Sequence, residues 1–285
     1  MIYLVACIIS SSLIYVIFRI AKNYKCNLHS LITLNYLAAS LLGIILFKPF
    51  SNGLNLNEPP PWLAFALILG LLFIAMFYLI GYSSQKAGIT VTTLANKLSL
   101  VFPVAFSLFY FNEQISILKI AGIVTALIAI GLTVYKKEIN KTNLLFIALP
   151  LSIFLGSGLI DSIVKYVQAV KLSETDVSLY TICVFIVAFI CGLILKLFKK
   201  NRNQTFNYMT IILGTFLGGV NFGSLFFIIK ALNHSGLESS LVFALNNMAI
   251  VALTTLLGTL LFKEKLSRIN YLGVVLALIS LYFLL

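Results

Sequence analysis

Residues 10–20 read SSSLIYVIFRI, and residues 156–166 read GSGLIDSIVKY. Ser11, Leu13, Ile14 and Ile17 return as Ser157, Leu159, Ile160 and Ile163. Arg19 returns as Lys165, and Tyr15 stands opposite Asp161. A second pair of blocks keeps the same order: FNEQISILKIAGIVTAL at 111–127 returns as FKEKLSRINYLGVVLAL at 262–278. There Phe111, Glu113, Ser116 and Gly122 meet Phe262, Glu264, Ser267 and Gly273, and Val124, Ala126 and Leu127 meet Val275, Ala277 and Leu278. Apolar helices resemble one another by composition, so either block alone says little. The shared order and the nearly constant offset, 146 residues at Ser11 and 151 at Glu113, read as an internal repeat.

Working outward from these blocks, the chain divides into ten apolar runs. They lie near 2–21, 28–47, 62–84, 88–111, 116–135, 143–165, 176–198, 208–230, 236–262 and 267–285. Runs of about 18 to 23 apolar residues are long enough to cross a ~30 Å hydrocarbon core as helices. Ten runs over two repeats give five spans each, residues 1–140 and 141–285. A five-span unit must sit upside down relative to its twin, and inverted repeats place a substrate site between the halves near the midplane. The expected fold class is therefore all-α: a polytopic membrane protein of ten transmembrane helices in two inverted five-helix repeats.

Composition excludes much else. The chain is 61% hydrophobic and 10% charged, with mean hydropathy +1.07. A soluble domain of 285 residues could not bury that much apolar surface. Ten-residue strands of alternating polarity, the mark of a membrane barrel, are absent. The first run lacks a basic leading segment and a small-residue cleavage site, so it reads as a retained span. The one punctuated loop is 48–61, with Asn52, Gly53 and Pro59-Pro60-Pro61.

The net charge of +12 does not point to nucleic acid, because the basic residues gather at the ends of runs. Of 20 Lys and Arg, fourteen follow odd-numbered runs, five lie on the opposite side, and Lys97 is inside a run. Cytoplasmic loops are the basic ones, which places both termini outside the cytoplasm. The four cysteines read as packing residues. Cys183 and Cys191 are eight positions and ~12 Å apart along one helix, too far to bridge. No Cys/His spacing suggests a metal, no GxxxxGK[ST] loop supports ATP hydrolysis, and no cofactor is expected.

The chemistry must then come from the few polar residues inside the runs. Lys97 lies nine residues beyond Gly88, ~14 Å along a helix and about mid-membrane. A central lysine costs at least ~2.5–3.5 kcal/mol to insert, so it faces a cavity or a partner. Its functional reading is recognition of a carboxylate or phosphate; its bland reading is an ion pair locking two helices. Asp161 stands four residues before Lys165 on one helix face. That pair reads either as a local ion pair or as a proton or cation coupling site. Asp161 is expected nearer one surface than Lys97, so a meeting of the two would need a tilted or broken helix. Asn35, Asn96, Asn221, Asn246 and Asn247 must each find hydrogen-bond partners in apolar surroundings. Asn96 and Asn247 occupy matched positions in the repeat. The expected substrate-binding set is Lys97, Asn96, Asn247, Asn246 and Asn221, with Tyr36 as an aromatic wall and Tyr78 as a further candidate. Pro103 and Pro150 can kink their helices. Ser10–Ser12, Gly156, Gly158, Gly218 and Gly219 offer close packing or bending points.

The doubled five-span unit resembles the ten-helix EamA-like branch of the drug/metabolite transporter superfamily. The residues that carry the resemblance are Glu113 and Glu264, each nine positions before a glycine (Gly122, Gly273), and the turns Ala87-Gly88 and Ser235-Gly236. The resemblance implies a basket of helices around a central cavity open alternately to either side. It also implies secondary transport, often export, of small organic metabolites such as amino acids. It would put both termini in the cytoplasm, against the charge count. The small four-helix members carry a membrane-embedded Glu in their first helix; this chain has none there, so their coupling scheme does not carry over. The partners implied are a small-molecule substrate, the bilayer and a proton or cation as coupling ion, with a homodimer left open. The setting implied is a bacterial inner membrane. The alternatives are a flippase for a lipid-linked metabolite and a membrane enzyme acting on lipid.

Overall fold

A computed structural model describes residues 1–48, 59–110, 116–134, 144–173, 175–198, 207–237 and 239–283. Glu113, Asn52 and Gly53 lie outside them. The secondary structure among the described residues is α-helix, in eleven segments joined by short connections. These are α1 (Ile2–Asn23), α2 (Leu28–Phe47), α3 (Leu63–Lys86), α4 (Ile89–Leu98), α5 (Val101–Tyr110), α6 (Ile117–Val134), α7 (Leu144–Val170), α8 (Val177–Phe198), α9 (Tyr208–His234), α10 (Ser239–Leu260) and α11 (Arg268–Phe283). Seven stretches are long and apolar enough to cross a membrane, and three shorter apolar helices accompany them. The protein is a polytopic membrane protein of ten helices, with α4 and α5 sharing the fourth run.

The break between α4 and α5 follows from Pro103. Proline has no N–H to give the carbonyl four residues earlier, and its ring clashes with that carbonyl. The residue four earlier is Ser99, where the helix stops. The freed carbonyls find other donors: Phe102 N reaches Ser99 O at 2.9 Å, and Leu100 N reaches Lys97 O at 3.4 Å. The matching position in the second half is Thr254, whose hydroxyl folds back onto Ile250 O at 2.7 Å. α10 accordingly runs unbroken.

The helices pair in a regular order. α6 packs on α11, α2 on both α8 and α9, α1 on α9 and α10, α3 on α8 and α7, and α4 on α7 and α10. Exchanging each of the first five spans for the one five places later maps these pairings onto one another. Gly218 lets α9 approach α2, since a Cβ there would lie 2.5 Å from Asn35 O. Gly156 and Gly158 do the same for α7, against Met76 and Phe102. These small residues serve close packing.

Contacts between helix ends sort them onto two faces. On the N-terminal face Tyr3 meets His234 edge-on at 6.0 Å, and Trp62 Nε1 donates to Asp176 Oδ2 at 3.4 Å. On the opposite, basic face Arg19 and Lys22 donate to Gln85 O at 3.0 and 2.7 Å, and Asn207 Nδ2 donates to Tyr24 O at 3.2 Å.

Candidate functional site

Six spans surround a cavity of about 220 Å³. Each contributes one helical stripe. From α1 come Cys7, Ser11, Ile14 and Tyr15; from α3, Phe73, Met76, Phe77 and Ile80; from α7, Ser157, Ile160, Asp161, Val164 and Lys165; from α9, Asn221, Ser224, Leu225 and Ile228. These are the i, i+3, i+4, i+7 spacings of one helix face. Asn96, Lys97, Leu100, Pro103 and Val104 enter from the broken fourth span, and Phe243, Asn246 and Asn247 from α10. Spans 1 and 6, 3 and 8, and 4 and 9 thus line the space in repeat-related pairs. Four matched positions face it from both halves: Ser11 with Ser157, Ile14 with Ile160, Tyr15 with Asp161, and Asn96 with Asn247.

Lys97, Asn96, Asn221, Asn246 and Asn247 are brought together here as expected, and Lys165 lies on the same wall. Tyr36 is not. It is fully buried between Phe77, at a ring distance of 5.3 Å, and Phe185, at 6.0 Å. α2 lies behind the cavity wall, packed on α8 and α9, so its side chains cannot reach the space. Asn35 sits in that same buried layer. Tyr78 stacks on His29 at 5.5 Å and does not line the cavity. The Tyr36 hydroxyl has no hydrogen-bond partner, and an unpaired buried hydroxyl costs free energy. Tyr36→Phe should leave transport unchanged and hold or raise the melting temperature, by the equivalent of ~1 kcal/mol at most. Thermal unfolding and uptake assays check this.

Asp161 differs from expectation in the other direction. The break at Ser99 turns that hydroxyl toward α7, and Ser99 Oγ lies 2.9 Å from Asp161 Oδ2. The same hydroxyl also contacts Asn96 O. Asp161 and Lys97 therefore line the same cavity. Lys97 O accepts from Asn247 Nδ2 at 3.4 Å, and Asn246 Nδ2 lies 3.4 Å from Asn247 Oδ1. Two buried amide atoms on the lining residues keep no protein partner: the donor Asn221 Nδ2 and the acceptor Asn246 Oδ1. Such groups carry a penalty unless something else pairs with them.

The sequence reading missed Cys7, Ser224 and the apolar lining. Cys7 Sγ donates to Ser224 O at 3.3 Å, joining α1 to α9 beside the polar cluster. The stripe on α3, Phe73 to Ile80, was the available signal, but α3 is apolar all round and shows no contrasting face.

The cavity can be followed toward both faces. Its lining continues toward the N-terminal face through Cys7, Val104, Lys165, Ile228 and Phe243. Toward the basic face the stripes pass into buried residues that include Phe18, Ser83, Thr92 and Thr93, and toward the N-terminal face into buried Leu4, Ala231 and Val242. The Ser83 and Thr92 hydroxyls are 2.7 Å apart.

The spans surround a cavity in which Lys97, Asp161 and four asparagines stand among apolar side chains. Residues 1–135 match the EamA-like transporter family, so the resemblance to the drug/metabolite transporters is shown on this part of the chain. An uncharacterized protein of Haemophilus influenzae is 29% identical over 290 residues, covering 99% of this chain and 96% of its own. A protein of solved crystal structure superposes with TM-score 0.60 over 98% of this chain and 96% of its own; at 15% identity this is a likeness of fold.

Proposed function

We propose that the protein is a secondary-active, alternating-access carrier, in the export direction, for a small organic anion or zwitterion. Residues 1–140 and 141–285 act as two inverted repeats, and the substrate sits between them. The observation that carries this reading is a cavity lined by Lys97, Asp161 and four asparagines drawn from both halves. Lys97 takes the negative group. Asn221 Nδ2 and Asn246 Oδ1 give the donor and acceptor that the protein itself leaves unpaired. Phe73, Met76, Phe77 and Phe243 hold the apolar part. Asp161 exchanges the coupling proton or cation. The basic face is the cytoplasmic one by the charge rule, in a bacterial inner membrane.

A thermal-shift screen of the purified protein against a metabolite library tests the reading. A ligand that binds only the folded form stabilises it by ~2.7 kcal/mol at a hundred times its Kd. Acids or zwitterions should raise the melting temperature, and an Asn221→Ala, Asn246→Ala double variant should lose most of that rise. Stabilisation confined to neutral or cationic ligands would contradict it.

A further inference from the structure

The connection after α10 makes a sharp reversal. Lys263 adopts a left-handed backbone, φ 51°, and Glu264 N returns to Gly258 O at 3.0 Å. This swings the Glu264 side chain back across its own helix and onto the start of α4. There its carboxylate accepts from Ile89 N at 2.6 Å, Thr90 N at 3.2 Å and Thr90 Oγ1 at 2.8 Å. The first amides of a helix lack internal partners and lie at the positive end of its dipole, so a carboxylate pairs well with them. Two glycines make room. A Cβ at Gly88 would lie 2.7 Å from Glu264 Oε1, and one at Gly258 would lie 2.8 Å from Oε2. Gly88 is required on a second ground, its φ of 102°.

The contact sits where closure is decided. α4 carries Asn96 and Lys97 near its other end, and α10 carries Asn246 and Asn247. The two helices run antiparallel: Asn247 holds Lys97 O at one end, and Glu264 holds Ile89 and Thr90 at the other. The Glu264 end lies on the basic face, where this contact joins the two helices. That face cannot open between the fourth and ninth spans while the carboxylate bridges them.

We infer that Glu264 is a conformational latch: its carboxylate clamps α10 to the N-terminus of α4 and keeps the cavity closed to the basic face. The inference rests on the alternating-access reading above. Release must precede opening toward that face, because the three donors belong to one half and the acceptor to the other. Weakening the latch shifts the population toward the state open on the basic face without touching a cavity residue.

The test uses one reporter cysteine, Ser11→Cys, in a chain with Cys7, Cys26, Cys183 and Cys191 replaced by alanine. A membrane-impermeant maleimide is applied to each face of reconstituted vesicles in turn. Without a latch change, labelling comes from the N-terminal face. Adding Glu264→Gln, or separately Gly258→Ala, should raise labelling from the basic face about tenfold, the population shift expected on losing one charge-assisted contact. Thr90→Val removes only the hydroxyl donor and should give a smaller rise in the same direction with the fold intact. Labelling that stays confined to the N-terminal face in Gly258→Ala and Thr90→Val would overturn the latch, even if Glu264→Gln lowers stability. If the reporter without latch changes is labelled equally from both faces, the alternating-access reading fails instead.

Discussion

Lys97→Met should give a folded protein that no longer binds its substrate. The ammonium is one of the few charges placed deep among the spans, and it lines the cavity beside Asn96 and Asn247. Methionine is close in length and apolar, so the packing of α4 against α7 and α10 is kept. Removing a mid-membrane lysine also lifts an insertion cost of ~2.5–3.5 kcal/mol, so thermal stability without ligand should hold or rise. A charged hydrogen bond to substrate contributes ~1.5–3 kcal/mol, so affinity should fall about ten- to a hundredfold or more. Calorimetric titration of the stabilising ligand against both proteins reads this. Equal affinities would remove Lys97 from the site.

Asp161→Asn should separate transport from its driving force. Asparagine keeps the size of the side chain and an oxygen within reach of Ser99 Oγ, 2.9 Å away in the native protein. It cannot exchange a proton or hold a cation by charge. A gradient of one pH unit carries ~1.4 kcal/mol, enough for about tenfold accumulation at one proton per substrate. The native protein should reach that ratio in vesicles with an imposed gradient, and Asp161→Asn should level off near equal concentrations. Exchange of labelled for unlabelled substrate should persist in the variant. Full accumulation by Asp161→Asn would take the coupling role away from this carboxylate.

Much of the architecture was readable because lipid imposes length and apolarity on every span. The ten runs, the matched asparagines and the mid-depth lysine all follow from those constraints. The cavity's polar half was legible for the same reason: a charge or amide among apolar neighbours has few places to go. The apolar half was not, because a helix buried or lipid-covered all round shows no contrast between its faces. Tyr36 illustrates the failure. Its aromatic ring with a polar tip suggested a cavity wall, yet α2 is held away from the cavity by its packing on α8 and α9. Asp161 shows the reverse case. Its meeting with Ser99 depends on a break that Pro103 imposes, and sequence alone gave the kink but not its direction. The repeated glutamate was visible as a motif, but the grip of Glu264 on α4 depends on the Lys263 reversal and on two glycines distant in sequence.

Counterflow in proteoliposomes tests the central claim, a cavity served from one face at a time, most directly. Vesicles loaded with unlabelled ligand from the thermal-shift screen are diluted into a trace of labelled ligand. A carrier of this kind gives a transient, saturable overshoot of label inside the vesicles, absent with Lys97→Met and present with Tyr36→Phe. Label that rises monotonically to equilibrium, linear in concentration and indifferent to internal ligand, would contradict it.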